Sequence, residues 1–337
     1  MSGIEFYIVV LLVYLGTDLL AAWGLNLEFG IAGVANLAFI VVVAAGAYTY
    51  SILSLGPDTG NGGFQQYVLG FRFPFFVAVV AAALAGAAVG MVIGITGLKR
   101  IRPDYQAMVM LVISLMAATV VGADSGFLNG LAGLSLVPNP FSSLNSTFGP
   151  WVYVGMVAFA CLVGYFVMRR FTGGPMGRRL RAMRDDEHAA AAMGVSVVRL
   201  RLMSQAVGGA FGGVSGALLV AFIGGWSPGG WAYVETLALL TAIIVGGMGN
   251  DFGVSIGTFL IAVLLLQGVQ FLPPIRSHSG LTEALGWIVL GVLTIAFLWI
   301  RPQGIFRERR PRYRWRLGAG TRAGADSGAG TSPAPPS

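Results

Sequence analysis

Apolar runs of 18 residues or more, nearly free of charge, recur along this chain between residues 4 and 300. At about 1.5 Å of rise per residue, such a run crosses a hydrocarbon layer of about 30 Å as a single helix. Composition agrees: 56% of residues are hydrophobic, 10% are charged and the mean hydropathy is +0.78, whereas a soluble domain is about one-quarter charged. Spans are expected near residues 4–23, 36–55, 74–97, 105–122, 151–168, 202–223, 234–248, 254–272 and 284–300. The fold class is an all-α polytopic membrane protein of about nine transmembrane helices, range about 8–10, with one transmembrane domain over residues 1–306. Residues 25–35 are left over, too polar and too short to span alone, and mark a broken or re-entrant segment.

Charge is concentrated where the spans are not. Residues 169–201 hold eight Arg and three acids, an island between long apolar runs that reads as a cytoplasmic loop. With nine spans and the C-terminus inside, Lys99, Arg100, Arg102, the island and the eight Arg from Arg301 to Arg322 all fall on the cytoplasmic side. That is 19 of the 21 basic residues, leaving Arg72 and Arg276 outside. The N-terminus is then extracytoplasmic. No basic leader precedes the first span and no A-x-A site follows it, so residues 4–23 are expected as a retained helix.

Enzymatic classes find little support. The sole Lys, Lys99, follows Leu98, so no GxxxxGK[ST] phosphate loop exists and this chain is not expected to hydrolyse ATP. No G-x-S-x-G elbow, H-E-x-x-H or paired-carboxylate arrangement is present. The one cysteine, Cys161, lies mid-span and reads as a small packed hydrophobe. His188 and His278 are far apart in loops, so no metal site is expected.

The glycines, 50 in all, fall in places at every fourth position: Gly86, Gly90, Gly94, and again Gly208, Gly212, Gly216. Small residues so spaced let helix backbones approach closely, either for packing alone or in a bundle built to rock. The run from Gly24 to Phe39 sets Asn26, Glu28 and Asn36 among glycines at membrane depth. Irregular backbone there needs protein or a water-filled cavity to satisfy it, so a broken helix lining a path and an interfacial turn are both open. Residues 124–140 read as an extracytoplasmic loop able to dock an external protein. Asp18, Glu28, Asp104, Asp124, Glu235 and Asp251 lie near spans, mostly at their ends. Asp18 alone is moderately deep and has no obvious partner, which weakens the alternative of an ion-coupled secondary transporter or channel.

Within the island, the Gly173-Gly174-Pro175 breaker precedes a helix expected over Met176 to Gly194. Ala189 to Ala192 favour it and Gly194 ends it. Such a helix suits a groove of a cytoplasmic protein, or else the segment is a basic loop held on anionic lipid. Beyond Phe306, residues 307–337 form a basic and then Gly/Ala/Ser/Pro-rich cytoplasmic tail that cannot bury a core, with disorder expected from about residue 318.

Several strings together carry a family resemblance. GRRLRAMRDDEHAAAAMGVSVVRLRLMSQAVGGAFGGVSGALL, from Gly177 to Leu219, resembles the cytoplasmic loop and following span of LivH/LivM-type permeases of branched-chain amino-acid ABC transporters. Leu25 to Thr49 is similar to the family's first motif, Lys99 to Ser114 to its second cytoplasmic segment, Glu235 to Leu265 to its late Gly-rich motif, and RPQGIF at Arg301 to Phe306 to its closing turn. The basic segment at Lys99 points to the LivM-like branch. The resemblance implies an importer subunit in a bacterial or archaeal plasma (inner) membrane. Its partners would be two ABC ATPase subunits, a second LivH-type permease subunit and an extracytoplasmic solute-binding protein, with the lipid bilayer around it and no nucleic acid. ATP would be bound by the partner subunits, and no cofactor by this chain. The resemblance also makes Arg178, Arg181, Arg184, Asp185, Asp186, Glu187, Ala190 and Gly194 candidates for ATPase coupling. Asn26, Gly30, Asn36, Glu235, Gly246, Gly247 and Gly249 are candidates for the translocation path. Branched-chain amino acids remain open against urea or short amides.

Overall fold

In hydrocarbon a helix satisfies its own main-chain polar groups, so each apolar run takes that form. The computed structural model describes residues 3–56, 65, 67, 69–96, 103–123, 125–142, 148–230, 233–267, 281–301 and 303–308. Lys99, Arg100, Arg102, Asp124, Arg276, His278 and the tail beyond Glu308 lie outside the described residues.

Among the described residues, five helices are long and apolar enough to cross a membrane, α1 (Gly3–Leu25), α3 (Phe75–Thr96), α4 (Pro103–Ala123), α6 (Phe148–Thr172) and α9 (Val197–Ile223). Helices α2 (Phe39–Leu55), α10 (Tyr233–Gly246), α11 (Asp251–Thr258) and α12 (Leu281–Ile300) fall on the other expected spans as shorter apolar helices. Between them lie the short helices α5 (Ser125–Leu128), α7 (Pro175–Asp185) and α8 (Glu187–Ala192). Wider π-helical turns continue α1 over Asn26–Ile31 and α11 over Phe259–Gln267. The chain is thus an all-α polytopic membrane protein. Helices α6 and α9 run past the expected spans to include Arg169, Arg170, Arg199 and Arg201. An apolar count stops at the first Arg, but the main-chain hydrogen bonds do not.

The stretch expected as a loop at 124–140 contains ordered pairings, an isolated antiparallel bridge from Leu128 to Tyr67 among them. Strand β1 (Leu134–Ser135) runs antiparallel to β2 (Gly225–Trp226), with Leu134 opposite Trp226.

Helix α9 is the axis of the bundle, packed most extensively against α3 and then against α2 and α1. Its buried glycines make this possible. A Cβ on Gly86 of α3 would stand 2.8 Å from the Gly213 Cα, and one on Gly24 of α1 would stand 2.6 Å from the Gly208 carbonyl oxygen. The helices therefore meet backbone to backbone, as the four-residue glycine spacing predicts. Outer faces remain apolar and exposed, with Phe76, Leu84, Phe159, Phe166, Ile295 and Trp299 turned outward, as a lipid-facing surface requires.

The polar run after α1 is a break in the bundle. Beyond the π turn the Val34 amide donates to the Glu28 carbonyl at 2.8 Å, closing that turn. Helix α2 then starts beside α10, where the Thr236 hydroxyl accepts the Ile40 amide at 3.1 Å. That hydroxyl satisfies one of the amides that a helix start leaves unpaired. Asn26, Glu28 and Asn36 are all fully buried.

The helix expected over residues 176–194 is two. Asp186 adopts extended backbone (φ −155°, ψ 110°), and its carboxylate accepts the Ala189 amide at 3.0 Å, capping α8. An Asp directly before a Glu-His-Ala run is a helix start, and the Ala-rich composition concealed it. Gly194, at φ 81°, closes α8: its amide donates to the Ala191 carbonyl and the Val195 amide to the Ala190 carbonyl, a two-bond left-handed C-cap.

Candidate functional site

The C-terminal end of α1, the starts of α9 and α11, the ends of α6 and α10, and α7 converge on one end of the bundle. Asn26 is central there. Its Oδ1 accepts the Gly249 amide at 3.0 Å and its Nδ2 donates to Asp251 Oδ1 at 3.3 Å. The Thr172 hydroxyl, at the end of α6, donates to the other Asp251 oxygen at 3.5 Å. Gly30 lies against the same turn: a Cβ on it would stand 2.7 Å from the Gly249 nitrogen. Gly249 itself sits at φ 76°, a conformation that glycine reaches without strain.

Arg184 joins this group to α7. Its guanidinium donates to the Gly30 carbonyl and pairs with Glu308 at 2.7 Å. Its stem crosses Gly33, where a Cβ would stand 2.6 Å from the Arg184 Cγ. Arg181, one turn earlier, pairs with the same Glu308 at 3.1 Å and donates to the Thr172 carbonyl at 3.3 Å. Coupling and path candidates that the sequence leaves apart are therefore in direct contact.

A second polar group lies deeper between α1 and α9. Asn36 Nδ2 donates to Glu28 Oε2 at 2.7 Å and to Gln205 Oε1 at 3.1 Å, while its Oδ1 accepts the Ala38 amide at 3.0 Å. Glu28 and Gln205 are fully buried, and Gly208 makes the room: a Cβ there would stand 2.7 Å from the Glu28 Cγ. Buried polar groups without partners are destabilising: Asn36 satisfies one oxygen of Glu28 and the oxygen of Gln205, while Glu28 Oε1 and Gln205 Nε2 find no hydrogen-bond partner among the described residues.

The remaining candidates divide. Glu235 lies in the first turn of α10, one residue before the Thr236 that accepts the Ile40 amide. Gly246 packs on Gly253 of α11. Gly247, at φ 118°, leaves no space for a side chain beside the Phe306 carbonyl. In the basic segment, Arg178 is exposed and Ala190 is buried. Asp185 is 3.7 Å from Arg184, and Glu187 pairs with Arg201 at 2.7 Å. The acids of α7 and α8 thus have structural partners, and the outward face of α8 is His188, Ala189, Ala191, Ala192 and Met193, the last 84% exposed.

Sequence reasoning did not place Thr172, Gln205 or Glu308 in the site. A lone amide in the Gly-rich α9 was the one available signal for Gln205. Nothing local marked the other two.

A lipid-facing bundle of close-packed helices, a buried polar junction at one end and an exposed amphipathic segment against it define a multi-pass membrane permease. Over residues 7–298 the chain matches the family described as branched-chain amino acid transport system, permease component, and it belongs to that family. It is a membrane permease subunit of an ABC importer. The high-affinity branched-chain amino acid transport system permease protein LivM of Salmonella typhimurium is 28% identical, covering 88% of this chain and 69% of its own length. A probable branched-chain amino acid transport permease protein LivM of Methanocaldococcus jannaschii is 24% identical, with 89% and 93% covered. The fructose import permease protein FrcC of Rhizobium meliloti is 25% identical, with 78% and 76% covered. No solved structure matches the chain.

Proposed function

We propose that this chain forms half of the translocation path of an importer for branched-chain amino acids, with α7 and α8 receiving the stroke of separate ATPase subunits. Two ABC ATPases, a second permease of LivH type and an extracytoplasmic solute-binding protein complete the assembly. The chain carries no ATPase site of its own, and its N-terminus is outside and its C-terminus cytoplasmic. The path runs past Glu235 to the junction of Asn26, Gly30, Asn36 and the Gly246–Gly249 turn. The relatives in Salmonella typhimurium and Methanocaldococcus jannaschii are named for branched-chain amino acid transport, which supports an amino acid over urea, an amide or a sugar.

The observation that carries this reading is Arg184: one side chain of α7 holds the carbonyl of Gly30 in the break after α1. A push on α7 is delivered to the break without an intermediary, and the Gly-lined contacts of α9 provide surfaces on which helices slide. Gly194 and the Asp186 cap fix the shape of α8, while the outward Ala face and Met193 present it to the ATPase.

The complete set of subunits in proteoliposomes tests this. Leucine uptake should require ATP and survive collapse of ion gradients. Met193→Glu, which places a charge on an open surface, should abolish uptake together with ATPase co-purification. Gradient-driven uptake without ATP would overturn the reading.

A further inference from the structure

The chain after α12 turns at Gly304 (φ 68°) and returns to the end of α10. The Ile305 amide donates to the Val245 carbonyl at 2.8 Å and the Phe306 amide to the Gly246 carbonyl at 3.1 Å. These carbonyls belong to the last turn of α10, where a helix has no acceptor use of its own. Asn250 Nδ2 then holds the Arg307 carbonyl at 3.3 Å. Three bonds thereby fix the segment whose next residue is Glu308.

Glu308 lands between Arg181 and Arg184, with its side chain only 13% exposed. Those two Arg lie three residues apart on one face of α7, where like charges repel. Each also donates to a main-chain carbonyl, Arg181 to Thr172 and Arg184 to Gly30. The one carboxylate pairs with both guanidinium groups and aligns both carbonyl contacts, while Asp185 lies 3.7 Å from Arg184. Removing one member of such a poorly solvated ionic group leaves the others uncompensated. No other acid among the described residues bridges two Arg.

We infer that Glu308 is a positioning residue for energy coupling, clamping α7 to the α10–α11 turn so that Arg184 carries the movement of α7 into the Gly30 break. The inference rests on α7 and α8 being the coupling segment. With the clamp closed, α7, the Gly247–Asn250 turn and the break move as one body. With it open, α7 tilts alone and the stroke is dissipated.

The test is solute moved per ATP hydrolysed by the full complex in proteoliposomes. Glu308→Gln should lower that ratio about fivefold or more while the ATPase subunits still co-purify, and Glu308→Asp should recover part of it. Adding Glu308→Gln to Arg184→Gln should lower the ratio no further than Arg184→Gln alone, because the two act through one contact. A wild-type ratio in Glu308→Gln, or uptake and hydrolysis falling in proportion with a lowered melting temperature, overturns the inference. If Glu308→Gln does not assemble, the ratio is read on Glu308→Asp, and a wild-type value there overturns it equally. Met193→Glu separates the two levels. Normal uptake in that variant removes the coupling segment itself, whereas lost uptake there beside a normal Glu308→Gln removes only the clamp.

Discussion

At the scale of single residues, glycine decides where this bundle can close. A Cβ on Gly213 would stand 3.2 Å from the Gly86 Cα and closer still to the Ala82 carbonyl, both backbone atoms that yield only if a helix moves. Gly155, in the middle of α6, has nothing within 4 Å of the same position. Gly213→Ala should therefore destabilise the folded chain by about 1–3 kcal/mol through overpacking. Gly155→Ala should be neutral or stabilising by about 0.5–1 kcal/mol, because a helix interior prefers Ala. Thermal unfolding of the two variants in one detergent measures the contrast, and equal melting temperatures would remove backbone contact as the reason for the α3–α9 glycines. The four-residue spacing was legible in the sequence. Which glycine meets which was not, since spacing names a face and leaves the facing helix undetermined. Glu28 shows the same limit: it reads as a polar residue near a span end, yet its place depends on Gly208 and Asn36, 180 and 8 residues away in the chain.

At the scale of elements, Asp186 separates α7 from α8. Its carboxylate caps the second helix, and loss of a cap destabilises a helix by about 1 kcal/mol. A six-residue helix has few internal hydrogen bonds to set against that loss. Asp186→Ala should raise amide hydrogen exchange over Glu187–Met193 while leaving α6 and α9 unchanged, whereas Asp186→Asn should behave as wild type. Uniform exchange in all three proteins would mean that the Glu187–Arg201 pair and the Gly194 cap hold α8 unaided. This corner also shows why alanine replacement of Asp185, Asp186 and Glu187 is a poor probe of coupling. It would remove a cap and an ion pair before it touched any partner. The helices themselves were plain in the sequence because hydropathy reports them directly. The ends were less so: α6 and α9 continue into their Arg residues, and α7–α8 breaks at a residue whose role is fixed by one side-chain hydrogen bond.

At the scale of the whole molecule, the basic residues predict an orientation that surface labelling can check. In a Cys161→Ala background, Met193→Cys should react with a membrane-impermeant maleimide only in inside-out vesicles. Leu131→Cys, 76% exposed before the β1–β2 pair, should react only from the outside of intact cells. The reverse pattern would invert the topology and move the α7–α8 surface to the wrong side for an ATPase. The sequence alone determined that this chain is an all-α polytopic membrane protein and that α3 and α9 carry close-packing faces. Those properties follow from hydropathy, charge and periodicity, each of which is local or additive along the chain. Only the tertiary structure decided that Arg181 and Arg184 turn inward, that Gly30 and Gly249 meet, and that Glu308, placed in the tail by composition, closes onto α7. These contacts join residues more than a hundred positions apart, and long-range pairing is set by how helices pack, not by any pattern within one of them.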